Sequence, residues 1–199
     1  MTTYYLFLDT ETNARTEMDR FTYRQHIMQL TYTVTDADFN ILKTRTWFIA
    51  DVADRTYPKA TVTMKDIQGG ETFKCVFAEF MNDVRDVCDN NGLLVAHNLE
   101  FDQKVMSYSL ECMGMSPSVL NALIAKHGMC TMKTSTDYCK IPKTGYAARY
   151  PGYKYPSLCE LFQTIRGEQC KQIHYADDDV KLLMECFIAG KQLGLFSAS

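Results

Sequence analysis

The spacing of apolar residues sorts the chain into strand-like and helix-like stretches. Tyr4 to Leu8 is a short aromatic and aliphatic run that stops at Asp9-Thr10-Glu11-Thr12, the pattern of a buried central strand ending at an acidic edge. Ile27 to Val34 is rich in β-branched and aromatic residues, and Thr46 to Ile49 is similar. With the turn chemistry of Asp36 to Asn40 between them, these runs predict an antiparallel meander. From Phe73 the period lengthens. Phe73, Phe77, Phe80, Val84 and Val87 recur at steps of 4, 3, 4 and 3, the stripe of an amphipathic helix, which Asp89-Asn90-Asn91-Gly92 ends. Leu93 to Ala96 then reads as a fully buried strand.

Further helices are predicted from Leu99 to about Cys112 and from Ser118 to Lys126. Ser157 caps a short helix with Leu158, Leu161, Phe162 and Ile165 on its face, and a last one carries Ala176, Val180, Leu183 and Phe187. Lys140 to Pro156, with three prolines and two glycines, is expected to form no regular element. The order describes an α/β fold, a mixed sheet flanked by helices in a single domain over residues 1–199.

Composition narrows the class. The 199 residues are 46% hydrophobic and 23% charged, the balance of an ordinary folded protein. No apolar run approaches the ~20 residues that span a bilayer, and Met1-Thr2-Thr3-Tyr4 lacks the pattern of a secretory signal, so neither a membrane protein nor a secreted one is expected. The eight cysteines include no C-x-x-C pair, since the nearest two, Cys130 and Cys139, are nine positions apart. They read as reduced thiols in an intracellular, cytosol-like compartment. The net charge of −3 argues against simple electrostatic capture of nucleic acid. Thr131 to Lys171 nevertheless holds seven Lys and Arg against three Asp and Glu, net +4, and carries Tyr138, Tyr146, Tyr150, Tyr153 and Tyr155. That stretch suits a polyanion or stacked bases, or is a solvated loop whose tyrosines pack on the body. Between Lys140 and Tyr155 a mobile flap over a substrate strand is expected.

Three clusters concentrate acids where a fold would expose them. Asp9 and Glu11 lie two apart, hence on one face of a strand, ~7 Å apart at the backbone, and repel each other unless a cation sits between them. Ala96-His97-Asn98-Leu99-Glu100-Phe101-Asp102 follows the buried strand, which puts Asp102 in the first turn of a helix. His174-Tyr175-Ala176-Asp177-Asp178-Asp179-Val180 opens the last helix. At about 100° per residue Asp178 lies opposite the apolar face, while Asp177 and Asp179 flank it and either reaches a site built on the sheet.

Taken together, Asp9-x-Glu11, AHNLEFD with Asp102, and His174 followed five positions later by Asp179 resemble, in order and spacing, the three motifs of the DEDDh-type 3′–5′ exonucleases, relatives of polymerase proofreading subunits with a ribonuclease H-like fold. The segments TFKCVFAEFMNDV and YPSLCELF resemble the family as well. The resemblance implies that Asp9, Glu11, Asp102 and Asp179 form the carboxylate set, with Asp179 chosen over Asp177, and that His174 is the general base. It implies two divalent cations, Mg²⁺ or Mn²⁺, that suit hard oxygen ligands and drive an in-line displacement. Thr10, Thr12, Asn98 and Phe101 would hold the terminal nucleotide. The implied partner is a nucleic acid with a free 3′ end, DNA favoured, with a polymerase or another replication or repair protein as a further partner. Many relatives also carry a His-Gly-Ile string before the second motif, whereas Val62 to Ile67 here contains no His. An exoribonuclease acting on RNA 3′ ends and an inactive nucleic-acid-binding module are the competing readings. The inactive module would lack a ligand or the base, and all five are present.

Overall fold

The computed structural model describes residues 4–13, 25–51, 61–63, 65–170 and 174–196. Five strands form one mixed sheet in the order β3-β2-β1-β4-β5. β1 (Tyr5–Thr12), β2 (Ile27–Thr35) and β3 (Ile41–Phe48) make the expected antiparallel meander, and β4 (Leu93–Ala96) lies parallel to β1. The third strand starts earlier than Thr46, because its pairing with β2 runs back to the turn: Asp36 Oδ1 accepts from the backbone N–H groups of Asp38 and Asn40 at 2.9 Å and closes the hairpin.

Helix α1 (Phe73–Asp89) buries the whole expected stripe of Phe73, Phe77, Phe80, Val84 and Val87. α2 (Leu99–Cys112) and α3 (Ser118–His127) follow as their patterns predict. Two elements were not legible. β5 (Gly128–Cys130) adds a short parallel edge strand beside β4, and α4 (Thr131–Cys139) follows it directly. Three residues are too few to show a period, and α4 buries only Thr131 and Ser135. α5 (Leu158–Arg166) begins at a full capping box. Ser157 accepts from the Glu160 N–H while the Glu160 carboxylate accepts from the Ser157 N–H. α6 (Ala176–Gln192) is the last helix.

The sheet separates two cores, and the alternation along β1 explains both. Leu6 and Leu8 pack with α1 and α2, whereas Tyr5 and Phe7 point the other way and pack with α5 and α6. Continued past Leu8, the same alternation turns Thr10 toward α2 and aims Asp9 and Glu11 toward α6. Ends of the parallel strands β1 and β4 share one edge of the sheet, so the acidic tip of β1 meets the start of α2 there.

One expectation about cysteine is corrected. Cys159 and Cys170, with Cα atoms 5.6 Å apart, form a disulfide, so the eight are not all free thiols. Cys159 is on α5 and Cys170 lies just after it, a separation of 11 residues that a helix end can fold back across. The remaining six are unpaired. Among the described residues no helix is long and apolar enough to cross a membrane.

Candidate metal and nucleic-acid site

β1 carries Asp9 and Glu11 to the sheet edge on the α6 side. Register slips there: Glu11 stands opposite Gln29, but Thr12 stands opposite Ile27, so Met28 bulges out of the ladder. Such a bulge raises the local twist and ends regular pairing beside the acidic pair. Asp102 arrives from the other side of the sheet, in the first turn of α2, and is 1% exposed. Thr10, the β1 residue facing that way, donates its hydroxyl to Asp102 Oδ1 at 2.8 Å. Asp179, 4% exposed, comes from the first turn of α6. Ligand atoms of Glu11, Asp179 and His174 all lie within 4.8 Å of one another.

The three aspartates that open α6 divide as the helical wheel requires. Asp178 is turned to solvent and ion-pairs with Lys181 at 3.0 Å. Asp177 is shared between Lys181 and Gln29 Nε2, 3.4 and 3.5 Å away. Only Asp179 turns into the carboxylate cluster. His174 is exposed, and its backbone is left-handed at φ 60°, a conformation uncommon outside glycine that His adopts more readily than most residues.

Four carboxylates brought together in this way oppose one another's ionisation. Burial, then the charges of Asp102, Glu11 and Asp179, push the Asp9 carboxyl well above its ordinary range. Burial and the charges of Asp179 and Asp102 raise Glu11 to about 8. Burial raises Asp102 to about 7, against the hydrogen bond from Thr10, which favours its charged form. Among the described residues, every charge acting on Asp9 and Glu11 is negative. Acids collected in this way are neutralised most simply by a bound cation. Oxygen donors with one imidazole at the rim fit a hard divalent ion.

The expected nucleotide contacts lie around this cluster. Thr12 and Phe101 are half-buried beside it, and Asn98 caps α2 in the left-handed conformation at φ 70°. Thr10 is buried and its hydroxyl is committed to Asp102, so what it has left to offer a ligand is its backbone. His97, between strand and helix, is a structural tie. Its Nε2–H donates to the Pro156 carbonyl at 3.0 Å, and Nδ1 accepts from the Thr131 hydroxyl at 3.0 Å. Burial lowers its pKa to about 4, which keeps the ring neutral. Of the Val62–Ile67 stretch, Met64 lies outside the described residues, as does Lys171 of the basic segment. A groove of about 990 Å³ runs along α2 and α3 past Glu100, Lys104 and Lys133, on the face of α2 turned away from Asp102.

Gln29 was missed in the sequence. Its side chain is 1% exposed, and its Oε1 accepts the Ala176 N–H at 3.0 Å, satisfying a donor at the start of α6. Seated opposite Glu11, it joins the strand that carries Glu11 to the helix that carries Asp179. A Gln at an inward position of a strand, whose amide must find partners when buried, was the available signal.

Comparisons with known proteins bear on the family and the fold. A protein-family model described as Exonuclease matches residues 6–187. No curated protein sequence matches the chain. Among solved structures, E. coli exonuclease I in complex with a dA16 oligonucleotide superposes with a TM-score of 0.67 at 16% identity, over 98% of this chain and 42% of that one. A zinc-bound form of the E. coli exonuclease I complex with single-stranded DNA gives the same TM-score, identity and coverage. A 3′-exonuclease that recognises the 3′ end of the histone mRNA stem-loop superposes with a TM-score of 0.69 at 11% identity, over 96% of this chain and 64% of that one. The chain thus spans about two fifths of the exonuclease I chains that it matches. With the family model covering nearly all of the chain and the five-stranded mixed sheet in place, the chain belongs to the exonuclease family, in its DEDDh branch with the ribonuclease H-like fold.

Proposed function

We propose that the protein is a divalent-metal-dependent 3′–5′ exonuclease that releases nucleoside 5′-monophosphates from a nucleic acid with a free 3′ end, DNA favoured. The observation that carries the reading is the convergence of Asp9, Glu11, Asp102 and Asp179, with no basic side chain of the described residues among the charges that act on Asp9 and Glu11. These four would hold two ions, Mg²⁺ or Mn²⁺. When bound, such ions supply an activated water and neutralise charge at the leaving 3′ oxygen.

The chain's own residues do the rest. His174 stands exposed at the rim within reach of Glu11 and Asp179, where its imidazole takes the proton of the attacking water. Thr10 fixes the Asp102 carboxylate through its hydroxyl, so that the ligand is oriented before a metal arrives. Thr12, Asn98 and Phe101 flank the place of the terminal nucleotide. RNA 3′ ends are the second reading, favoured by the likeness to the histone mRNA 3′-exonuclease. Digestion of matched 3′-labelled DNA and RNA oligonucleotides with Mg²⁺, with the products separated by chromatography, tests both. Nucleoside 5′-monophosphates from one or both substrates are expected, and degradation of neither would overturn the proposal.

A further inference from the structure

The segment between α4 and α5 has a composition found nowhere else in the chain and a conformation that displays it. From Tyr138 to Cys159 there is no Asp or Glu, while Lys140, Lys143, Arg149 and Lys154 give it four cations in a protein whose net charge is −3. Its tyrosines do not pack on the body. Tyr146 is 69% exposed, Tyr155 56%, Tyr150 55% and Tyr153 39%. Four large rings left in water are costly unless something else covers them.

Hydrogen bonds and a short turn shape the segment from within. The Lys154 N–H donates to the Ile141 carbonyl at 2.9 Å and closes the loop at its base. Lys143 Nζ donates to the Pro151 carbonyl at 2.6 Å, and Gly145 to Arg149 form a 3-10 turn. That turn brings the Tyr146 and Tyr150 hydroxyls to 3.1 Å and stacks the Arg149 guanidinium 5.2 Å from the centre of the Tyr146 ring. The loop ends at Pro156, whose carbonyl holds His97, the residue next to Asn98 at the start of α2. The base of the loop thus sits one residue from the N-cap of α2, the helix whose first turn carries Asp102, and Tyr155, Tyr153, Tyr150 and Tyr146 lie successively further from it along the chain.

We propose that this loop is a stacking platform for an unpaired nucleic-acid strand, holding the nucleotides that lie 5′ of the one in the carboxylate site. The inference deepens the exonuclease reading and rests on it only for the direction in which the strand leaves the carboxylates. Rings stack on any base and cations follow the phosphates, so the platform is tolerant of sequence and selects single strands, whose bases are free, over duplexes. The repeating negative charge of a strand complements a stretch that carries four cations and no acids. The platform also supplies affinity that the acidic cluster, which repels phosphates, cannot.

Binding in EDTA separates this proposal from catalysis. Fluorescence anisotropy of labelled oligo-dT and oligo-U of increasing length, and of a blunt duplex, is measured on the full chain and on Tyr146→Ser, Tyr150→Ser and Tyr153→Ser combined. The wild type is expected to bind longer single strands more tightly than trinucleotides and more tightly than the duplex. The triple variant is expected to lose roughly tenfold or more in affinity for the longer strands and to show a flattened length dependence. The corresponding triple Tyr→Phe variant, which keeps the rings and removes the hydroxyl contact, is expected to bind like the wild type. A preference for dT or U strands identifies which nucleic acid the platform serves. Equal affinities of the wild type and the Ser variant, failure of the Phe variant to bind, or absence of single-strand binding by the wild type would each overturn the platform. None of these outcomes depends on whether the protein hydrolyses anything.

Discussion

Asp9→Asn should make the metal-free protein more stable while destroying its site. Asp9 holds its proton in the folded state well above the ordinary carboxylate range, because it is buried beside Asp102, Glu11 and Asp179. In the unfolded chain it ionises near 3.8. Between those two values the native state binds more protons than the unfolded one, so stability is full at low pH and falls as pH rises. Each pH unit in that window costs up to ~1.4 kcal/mol. Glu11, raised from 4.5 to about 8, and Asp102, raised to about 7, act in the same direction, although the repulsions are shared and do not simply add. His97, kept neutral down to about pH 4, acts in the opposite sense below pH ~6.5, but it is common to both proteins and cancels in their difference. Asn imitates the protonated Asp9 at every pH. The variant should therefore be more stable than wild type by a margin that grows as pH rises from 5 to 8, at no more than ~1.4 kcal/mol per pH unit, and that appears as a widening gap in Tm. Calorimetry in EDTA at pH 5, 6, 7 and 8 gives the difference directly. Added Mn²⁺ should then raise the wild-type Tm at pH 8 and leave the variant nearly unmoved. A variant that melts below wild type at pH 8, or a difference that does not grow with pH, would refute the claim that four mutually repelling carboxylates share one pocket.

Other expected outcomes follow from where side chains point. Asp178→Ala, on the solvent face of α6, should leave turnover within about twofold, whereas Asp179→Ala should abolish it, both measured by single-strand digestion. His174→Ala should lose ~10²–10⁴-fold in turnover with an unchanged Tm, because the ring is exposed; a lowered Tm with full activity would make it a structural residue. Gln29→Leu leaves the Ala176 N–H without its buried acceptor, so urea unfolding should show a loss of ~1–3 kcal/mol, and turnover should fall as Glu11 and Asp179 lose their common tie.

Much of this architecture was legible because periodic burial leaves a trace in the chain. The stripe of α1 is buried throughout, and the alternation of Tyr5 and Phe7 with Leu6 and Leu8 records which core each faces. The carboxylates were legible as acids at element ends, and helical geometry alone removed Asp178. It left Asp177 and Asp179 as equals, because the choice depends on Gln29 and Lys181 holding Asp177 aside, a contact between residues 148 positions apart. β5 and α4 escaped notice since one is three residues long and the other buries two polar side chains. The Cys159–Cys170 pairing escaped notice for a similar reason: spacing along a chain does not state where a helix end turns back.

The central claim is that these carboxylates make a metal-dependent exonuclease working from the 3′ end. It is tested most directly by following a 5′-labelled single strand on a sequencing gel with Mn²⁺, with EDTA, and with Asp102→Asn in place of wild type. Asp102→Asn keeps the shape of the side chain that Thr10 holds and removes its charge. The account predicts a ladder that shortens one nucleotide at a time from the 3′ end with wild type and Mn²⁺, and an intact strand in the other two reactions. A ladder that persists in EDTA or with Asp102→Asn, or a labelled mononucleotide released from the 5′ end, would contradict it.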